Sequence, residues 1–219
     1  MALIVPNILT ADVVELESKL VQLKGVVDWI HFDIIDGDYV NNKTITLAQL
    51  SQISLLKNFN FFLHLMIVDF QQQLKLVKKT GAKVVIGQIE TIFDQDKFIN
   101  FLKLKNIQAG FSLDYQTKIN KIKPDVFSQL DVILIMTIQA GWSGQKFKKN
   151  RLNQVKNLKT LKQKNNYKFK IAVDGGVNKD NIKDCVRAGA DILFTHDAVW
   201  KSNNIKTAIK QLERLSKNA

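Results

Sequence analysis

Eight short apolar segments, each followed by a longer amphipathic segment, constrain the fold of this chain more than any other feature. The apolar segments are rich in Ile, Val and Phe, which is typical of strands buried on both faces of a parallel sheet. The predicted strands are residues 3–5, 29–34, 61–66, 83–89, 109–113, 132–138, 168–174 and 192–195. Eight β-then-α units of roughly 25 residues each predict a closed (β/α)8 TIM barrel. The alternative, a doubly wound open sheet, is disfavoured because no Gly-x-Gly-x-x-Gly turn follows an early strand.

The segments between the predicted strands carry apolar residues at the spacing of an α-helix. In the first of them, the apolar side of the helix is predicted from Val14, Leu16, Leu20 and Leu23. A later segment repeats apolar residues every three positions, at Leu152, Val155, Leu158 and Leu161. Gly81 and Gly189 follow two such segments, where a glycine commonly ends a helix. Because no linker or low-complexity segment interrupts the alternation, we expect one domain over residues 1–219.

Composition argues against several classes of function. The net charge is +12, but the lysines are spread over the whole chain, whereas nucleic-acid-binding proteins cluster their basic residues and interleave aromatic ones. We therefore expect no nucleic-acid partner, and only long-range attraction of anionic substrates. No segment has the roughly 20 consecutive apolar residues that span a bilayer, so we expect no membrane partner. The single cysteine, Cys185, is expected to pack inertly in a helix, and the absence of an export signal predicts a cytoplasmic protein.

Four polar residues stand at the carboxyl ends of three predicted strands, which is where TIM barrels place their active sites. His31 and Asp33 lie two positions apart on the second strand, so both side chains should point into the barrel. His64 ends the third strand and Asp174 ends the seventh. Two imidazoles and two carboxylates are costly to bury together, and one divalent cation would offset that cost. The set suits Zn, Fe(II), Mn or Co. Two independent hydrogen-bonded pairs are the alternative.

Glycine-rich loops follow two neighbouring strands, the sixth and the seventh. The first loop has the sequence QAGWSGQ at positions 139–145, and the second begins with Gly175 and Gly176. Glycines let backbone N–H groups come close to an anion, and loops at this end of a barrel commonly bind phosphate. Either loop alone is compatible with an ordinary turn, but the pair together favours a phosphate site.

Taken in chain order, the motifs resemble those of ribulose-phosphate 3-epimerases, metal-dependent barrel enzymes that interconvert ribulose 5-phosphate and xylulose 5-phosphate. The resemblance covers nearly the whole chain, and this series of motifs is specific to that superfamily. The matching motifs are PNILTAD at 6–12, HFDIIDG at 31–37, HLMI at 64–67, MTIQAGWSGQ at 136–145, VDGGV at 173–177 and AGAD at 188–191.

The resemblance implies 3-epimerisation of a phosphorylated ketose, with D-ribulose 5-phosphate as the default substrate, by two-base proton transfer through a metal-stabilised enediolate. It implies that Asp33 and Asp174 are the catalytic acid and base. It also implies that one divalent metal ion is bound by His31, Asp33, His64 and Asp174. The expected substrate-binding residues are Asn7, His64, Met66, Met136, Gly141, Trp142, Ser143, Gly144, Gly175, Gly176, His196 and Asp197. The expected partner is a small-molecule sugar phosphate, and the oligomeric state stays open, with a homo-oligomer as one option.

The chain also departs from the family pattern. Asn7 replaces a usual serine, Ile35 a methionine and Gln88 a histidine, and QAGW follows the sixth strand in place of Asn-Pro-Gly-Phe. The largest departure follows the eighth strand, where a usual Gly-Ser is His196-Asp197. A carboxylate repels phosphate, and Asp197 is also suited to cap the next helix and occupy its N–H groups. Two alternatives therefore stay open. One is an epimerase of another ketose, such as a hexulose 6-phosphate or an unphosphorylated sugar, and the other is a non-catalytic ligand-binding relative.

Overall fold

A closed barrel of eight parallel strands forms the centre of the protein. The computed structural model describes residues 1–219, and the strands follow one another around the barrel in sequence order, with the last pairing with the first. The strands are β1 Leu3–Ile8, β2 Trp29–Ile35, β3 Asn60–Met66, β4 Val84–Gln88, β5 Gln108–Leu113, β6 Val132–Met136, β7 Lys170–Asp174 and β8 Ile192–Thr195. The predicted (β/α)8 barrel is confirmed.

Helices surround the barrel, although not in every connection. The α-helices are α1 Val13–Leu23, α2 Leu47–Leu50, α3 Phe70–Thr80, α4 Gln95–Lys103, α5 Leu152–Lys164, α6 Ile182–Ala188, α7 Asp197–Trp200 and α8 Ile205–Lys217. Short 3-10 helices span Ser54–Asn58, Ile89–Thr91, Ile119–Lys121, Pro124–Gln129 and Lys149–Arg151. The connection from β5 to β6 has only two of these and no α-helix; Pro124 takes the first position of the second one, where its missing N–H group costs no hydrogen bond. None of the helices has the length and apolarity to cross a membrane.

The strands bury side chains on both of their faces. On β2, the outward residues Ile30, Phe32 and Ile34 belong to the large apolar cluster between the sheet and the helices. The ring of the inward residue His31 stacks on Phe194, a member of the smaller cluster inside the barrel. The predicted orientation of β2 is therefore confirmed, and it delivers the polar side chains of this strand to the interior.

The helix α1 shows one difference from the predicted apolar side. Leu16, Leu20 and Leu23 are fully buried, but Val14 is 75% exposed, so its prediction as part of the buried side is wrong. Residues two positions apart point about 200° apart around a helix, which places Val14 nearly opposite Leu16.

Local signals at helix ends behave as the sequence predicts. Gly81 and Gly189 end α3 and α6 in the left-handed conformation, with φ of +81° and +115°. Cys185 lies fully buried on α6 within the apolar cluster that packs the helices against the sheet. The two helix ends follow from the glycines themselves, which adopt the left-handed conformation without steric cost.

Candidate active site at the carboxyl ends of the strands

The four predicted metal ligands meet at the carboxyl end of the barrel. One ligand atom from each residue can be chosen so that all four lie within 4.8 Å of one another. The strand register pairs Asp33 of β2 with His64 of β3, and Asp174 ends β7. All four side chains are buried, with exposures from 0 to 6%. Barrel closure therefore assembles two imidazoles and two carboxylates that are up to 143 positions apart in the chain (174 minus 31).

Hydrogen bonds orient two of these side chains. Asp33 Oδ1 lies 3.0 Å from His64 Nδ1, and Asp33 Oδ2 accepts a hydrogen bond of 2.7 Å from Asn7 Nδ2. The other ring nitrogen of His64, Nε2, lies 2.8 Å from Gln88 Oε1. Asn7, which replaces a serine of the resembling family, therefore still donates to the metal-ligand cluster.

His31 is the member of the cluster that lacks partners. Both of its ring nitrogens are buried and have no hydrogen bond, and the ring is held flat against Phe194 with centroids 3.8 Å apart. A buried unpaired polar group costs about 1–3 kcal/mol. A lone pair on one of these nitrogens, beside two carboxylates and a second imidazole, is what a divalent cation requires. The residues present thus fit one divalent metal ion.

The pKa shifts of the four side chains also support a site for a divalent metal ion. Burial raises the pKa of Asp174 to about 8, and the negative charge of Asp33 adds to the rise. Burial lowers the pKa of His31 to about 3, so this imidazole stays neutral, as a metal ligand must be. Burial disfavours charge on Asp33 and His64 as well. The neighbouring imidazoles, first His31 and then His64, hold the pKa of Asp33 below its ordinary value, and the hydrogen bond to Asp33 holds the pKa of His64 above its own. A bound cation would offset the electrostatic repulsion between the two neighbouring carboxylates.

A cavity of about 370 Å³ opens onto Asp33 and Asp174. This volume is within the range of pockets for small ligands. The other predicted residues that line it are Asn7, Met66, Met136, Gly141, Trp142, Ser143, Gly144, Gly175, Gly176, His196 and Asp197. His64 is a predicted substrate contact that does not line the cavity, because its ring nitrogens face Asp33 and Gln88.

Comparison with known proteins identifies the family. Residues 3–200 match the Ribulose-phosphate 3 epimerase family. The chain belongs to this family. It is 31% identical over 211 residues to the ribulose-phosphate 3-epimerase of Bacillus subtilis (strain 168), covering 95% of this chain and 97% of that protein. It is 30% identical to the chloroplastic ribulose-5-phosphate-3-epimerase of Arabidopsis thaliana, covering 95% of this chain and 75% of that protein. The predicted class, an epimerase acting on carbohydrate phosphates, is thereby confirmed.

Solved structures of other proteins share the fold of this family member. The 3-keto-L-gulonate-6-phosphate decarboxylase of Vibrio cholerae O1 superposes with a TM-score of 0.73 at 11% identity, over 99% of this chain and 98% of that one. The 3-hexulose-6-phosphate synthase of Salmonella typhimurium superposes with a TM-score of 0.69 at 14% identity, over 100% and 99% of the two chains. At such low identity, the likeness establishes the barrel fold alone.

The loop after β8, where this member of the epimerase family departs most from the family pattern, corrects one prediction. Asp197 is the first residue of α7 and does not cap it; His196 holds the cap position and makes no side-chain capping bond. The Asp197 carboxylate instead accepts hydrogen bonds of 2.7 Å from Lys201 Nζ and 2.9 Å from His196 Nδ1. The prediction that Asp197 occupies the helix N–H groups is wrong, because the helix begins at Asp197 itself and Lys201 and His196 engage its oxygens.

Backbone donors at the same end of the cavity lack partners inside the protein. The N–H groups of Gly176, Val177, Asp197 and Ala198 make no hydrogen bond to any backbone or side-chain acceptor. Gly175 has a φ of +106°, and a Cβ atom there would lie 2.5 Å from Ile138 Cγ1, so only glycine fits. The loop after β7 and the first residues of α7 therefore present four free donors at this end of the cavity.

Two functional features of this epimerase-family chain were missed by sequence reasoning. Gln88 Nε2 donates a 2.7 Å hydrogen bond to Glu90 Oε2, and Glu90 Oε1 accepts a 3.1 Å bond from the backbone N–H of Asp114. Arg151, buried at the start of the helix after β6, donates to backbone carbonyls at the ends of β5 and β6. Arg151 is one of only three arginines among 32 basic residues, and that rarity was the available signal.

Proposed function

We propose that this chain catalyses the 3-epimerisation of a phosphorylated ketose, with D-ribulose 5-phosphate as substrate and D-xylulose 5-phosphate as product. The observation that carries the proposal is the pair of buried carboxylates, Asp33 and Asp174, that faces one cavity beside two imidazoles. Membership of the family supports the reaction class.

One divalent cation would be held by His31, Asp33, His64 and Asp174, whose donor set suits Zn, Fe(II), Mn or Co. When bound, the cation supplies positive charge that stabilises negative charge developing on the substrate oxygens. Asn7 keeps the Asp33 carboxylate in place through its 2.7 Å hydrogen bond, and Phe194 holds the His31 ring by stacking.

The proton transfers are assigned to the two carboxylates. One carboxylate takes the proton from C3 of the ketose, and the electron pair of that C–H bond moves into an enediolate. The other carboxylate gives a proton to the opposite face of C3, which inverts the centre and leaves the atom count of the sugar unchanged. Asp33 and Asp174 project from β2 and β7, which are not neighbours in the barrel, and the proposal assigns them to opposite faces of C3. Their roles as acid and base exchange when the reaction runs in reverse.

The phosphate group is assigned to the loops after β7 and β8. The free N–H groups of Gly176, Val177, Asp197 and Ala198 are suited to phosphate oxygens. The Asp197 carboxylate is no barrier, because Lys201 and His196 hold it in hydrogen bonds and the ammonium group of Lys201 offsets its charge. This arrangement favours a phosphorylated ketose over the unphosphorylated sugar.

The test compares three substrates with the metal-loaded protein: D-ribulose 5-phosphate, a hexulose 6-phosphate and D-ribulose. We expect formation of xylulose 5-phosphate with a kcat/KM well above those for the other two. Equal efficiency with D-ribulose would refute the phosphate assignment, and a preference for the six-carbon phosphate would change the substrate while keeping the chemistry. A protein that binds metal and turns over none of them would be a ligand-binding relative.

The ion pair at Asp197 is tested by a charge series. Lys201→Met should raise KM for D-ribulose 5-phosphate a few-fold, because it exposes the phosphate to an unbalanced carboxylate in a partly solvated setting. Adding Asp197→Asn to that variant should restore KM. Lys210→Met, which removes an exposed charge of α8, is the matched control and should leave KM unchanged. A KM that does not respond to Lys201→Met would contradict the proposed role of the pair.

A further inference from the structure

We propose that Gln88 and Glu90 form a hydrogen-bonded relay that keeps a proton on Nε2 of His64 and so leaves Nδ1 available as the metal-binding atom. The relay runs from Glu90 through the amide of Gln88 to the ring of His64. Both are positioning residues, since they act on the metal through His64. The inference rests on the proposed metal site.

The direction of each hydrogen bond follows from the chemistry of the groups. A carboxylate only accepts, so the Gln88 atom 2.7 Å from Glu90 Oε2 must be the amide nitrogen. The amide oxygen then faces His64, 2.8 Å from Nε2, and an amide oxygen also only accepts. Nε2 must therefore carry the hydrogen. The opposite ring nitrogen, Nδ1, faces Asp33 at 3.0 Å and points into the ligand cluster.

Burial makes this direction obligatory. Gln88 and His64 are both 0% exposed, so water does not offer substitute partners. Glu90 is itself held at the end of β5, because its second oxygen accepts the backbone N–H of Asp114 at 3.1 Å. A ring nitrogen that binds a metal needs its partner nitrogen protonated and hydrogen-bonded, and loss of such support typically lowers metal affinity about 10–100-fold.

The variant Glu90→Gln should reverse the relay without removing bulk. The new amide must offer its oxygen to the N–H of Asp114, so its nitrogen turns toward Gln88. The Gln88 amide then turns over to accept from it and presents N–H to His64. Nε2 of His64 becomes an acceptor, and the proton moves to Nδ1, the atom that the metal needs.

The exchange Gln88→Glu with Glu90→Gln should restore the original direction. The glutamate at position 88 accepts from both His64 Nε2 and the new amide at position 90. That amide still gives its oxygen to the Asp114 N–H, so every hydrogen bond and the total charge are kept. A purely structural role of either side chain gives no reason for this rescue.

The experiment measures Zn²⁺ affinity and the protonation of His64 Nε2 in four proteins: the parent, the single variant, the exchanged double variant and Glu213→Gln. Glu213→Gln removes the same charge from an exposed position on α8. Competition with a chromophoric chelator gives the affinity. Nitrogen-15 spectra of the metal-free proteins report Nε2, and the chain has only three histidines to assign. Thermal unfolding checks that each variant is folded.

We expect Zn²⁺ to bind Glu90→Gln at least about tenfold more weakly than the parent, and we expect Nε2 of His64 to be unprotonated in that variant. The exchanged double variant and Glu213→Gln should match the parental affinity within a few-fold and keep Nε2 protonated. The relay is overturned if the single variant keeps parental affinity, if its Nε2 stays protonated, or if the exchange fails to rescue. A parent that binds no Zn²⁺ would refute the proposed metal site instead, and the nitrogen spectra alone would then decide the direction of the relay.

Discussion

Arg151 is expected to hold the carboxyl ends of two strands in place, and replacing it with methionine should destabilise the protein strongly. Its side chain is nearly enclosed, since the residue is 6% exposed. Its Nε donates to the carbonyl of Met136 at 3.1 Å, and its Nη1 donates to that of Thr117 at 3.0 Å. Its Nη2 donates to the carbonyl of Asp114 at 2.9 Å. Two separate pieces of chain, the end of β6 and the turn after β5, thus converge on one guanidinium.

The magnitude follows from these contacts. Each hydrogen bond from a charged donor contributes about 1.5–3 kcal/mol, so three bonds contribute about 4–9 kcal/mol. Methionine also removes the desolvation cost of a buried cation, which offsets several kcal/mol. The net loss in the free energy of unfolding should be about 2–5 kcal/mol. Arg151→Lys should fall between the parent and Arg151→Met, because a single ammonium cannot reach carbonyls that lie on different sides of a planar fork.

Equilibrium unfolding in urea measures this loss. Arg214→Met is the matched control, since it makes the same change at an exposed position of α8 and should shift stability by no more than about 0.5 kcal/mol. The reasoning is refuted if Arg151→Met costs less than about 1 kcal/mol, or if it costs no more than the control. Either result would mean that the carbonyls find other partners without rearranging the strand ends.

Three further outcomes are expected. Purified protein should contain near-stoichiometric divalent metal and His64→Ala should lose it, as elemental analysis will show; full activity after exhaustive chelation would contradict the proposed site. Turnover in deuterated water should place deuterium at C3 of the sugar. Asp33→Asn and Asp174→Asn should each lower kcat by about 10²–10⁴-fold. A near-normal rate in either variant with its metal bound would exclude the two-base assignment. Cys185 should not react with a thiol reagent at pH 8 in the folded protein, because it is buried and burial raises the pKa of its thiol to about 12. It should react fully in denaturant. Rapid labelling of the folded protein would show that α6 opens and would contradict this expectation.

The sequence by itself determined the barrel and the identity of the central polar residues. Strand and helix patterns depend on the spacing of neighbours, so they can be found without tertiary information. His31 and Asp33 share a face of β2 because side chains alternate along a strand. Because all strands of a barrel end at the same rim, His64 and Asp174 are predicted to meet this pair. In the structure, one ligand atom from each of the four residues lies within 4.8 Å of the others.

Two predictions about single side chains failed for local reasons. Asp197 was expected to cap α7, yet α7 begins at Asp197 itself, and its carboxylate is held by the neighbouring His196 and by Lys201 one helical turn later. Val14 was expected on the buried side of α1, but helical spacing alone places it nearly opposite the buried Leu16.

The hydrogen bonds that orient the metal ligands, in contrast, were decided only by the tertiary structure. Gln88 and Glu90 are close in sequence, but their partners His64 and Asp114 lie 24 residues away on either side, so no local pattern predicts the relay. Arg151 likewise reaches a carbonyl 37 residues earlier. The donors and acceptors of these bonds meet only after the strands close into a barrel in one register. Burial then removes water as an alternative partner and makes the direction of each bond specific.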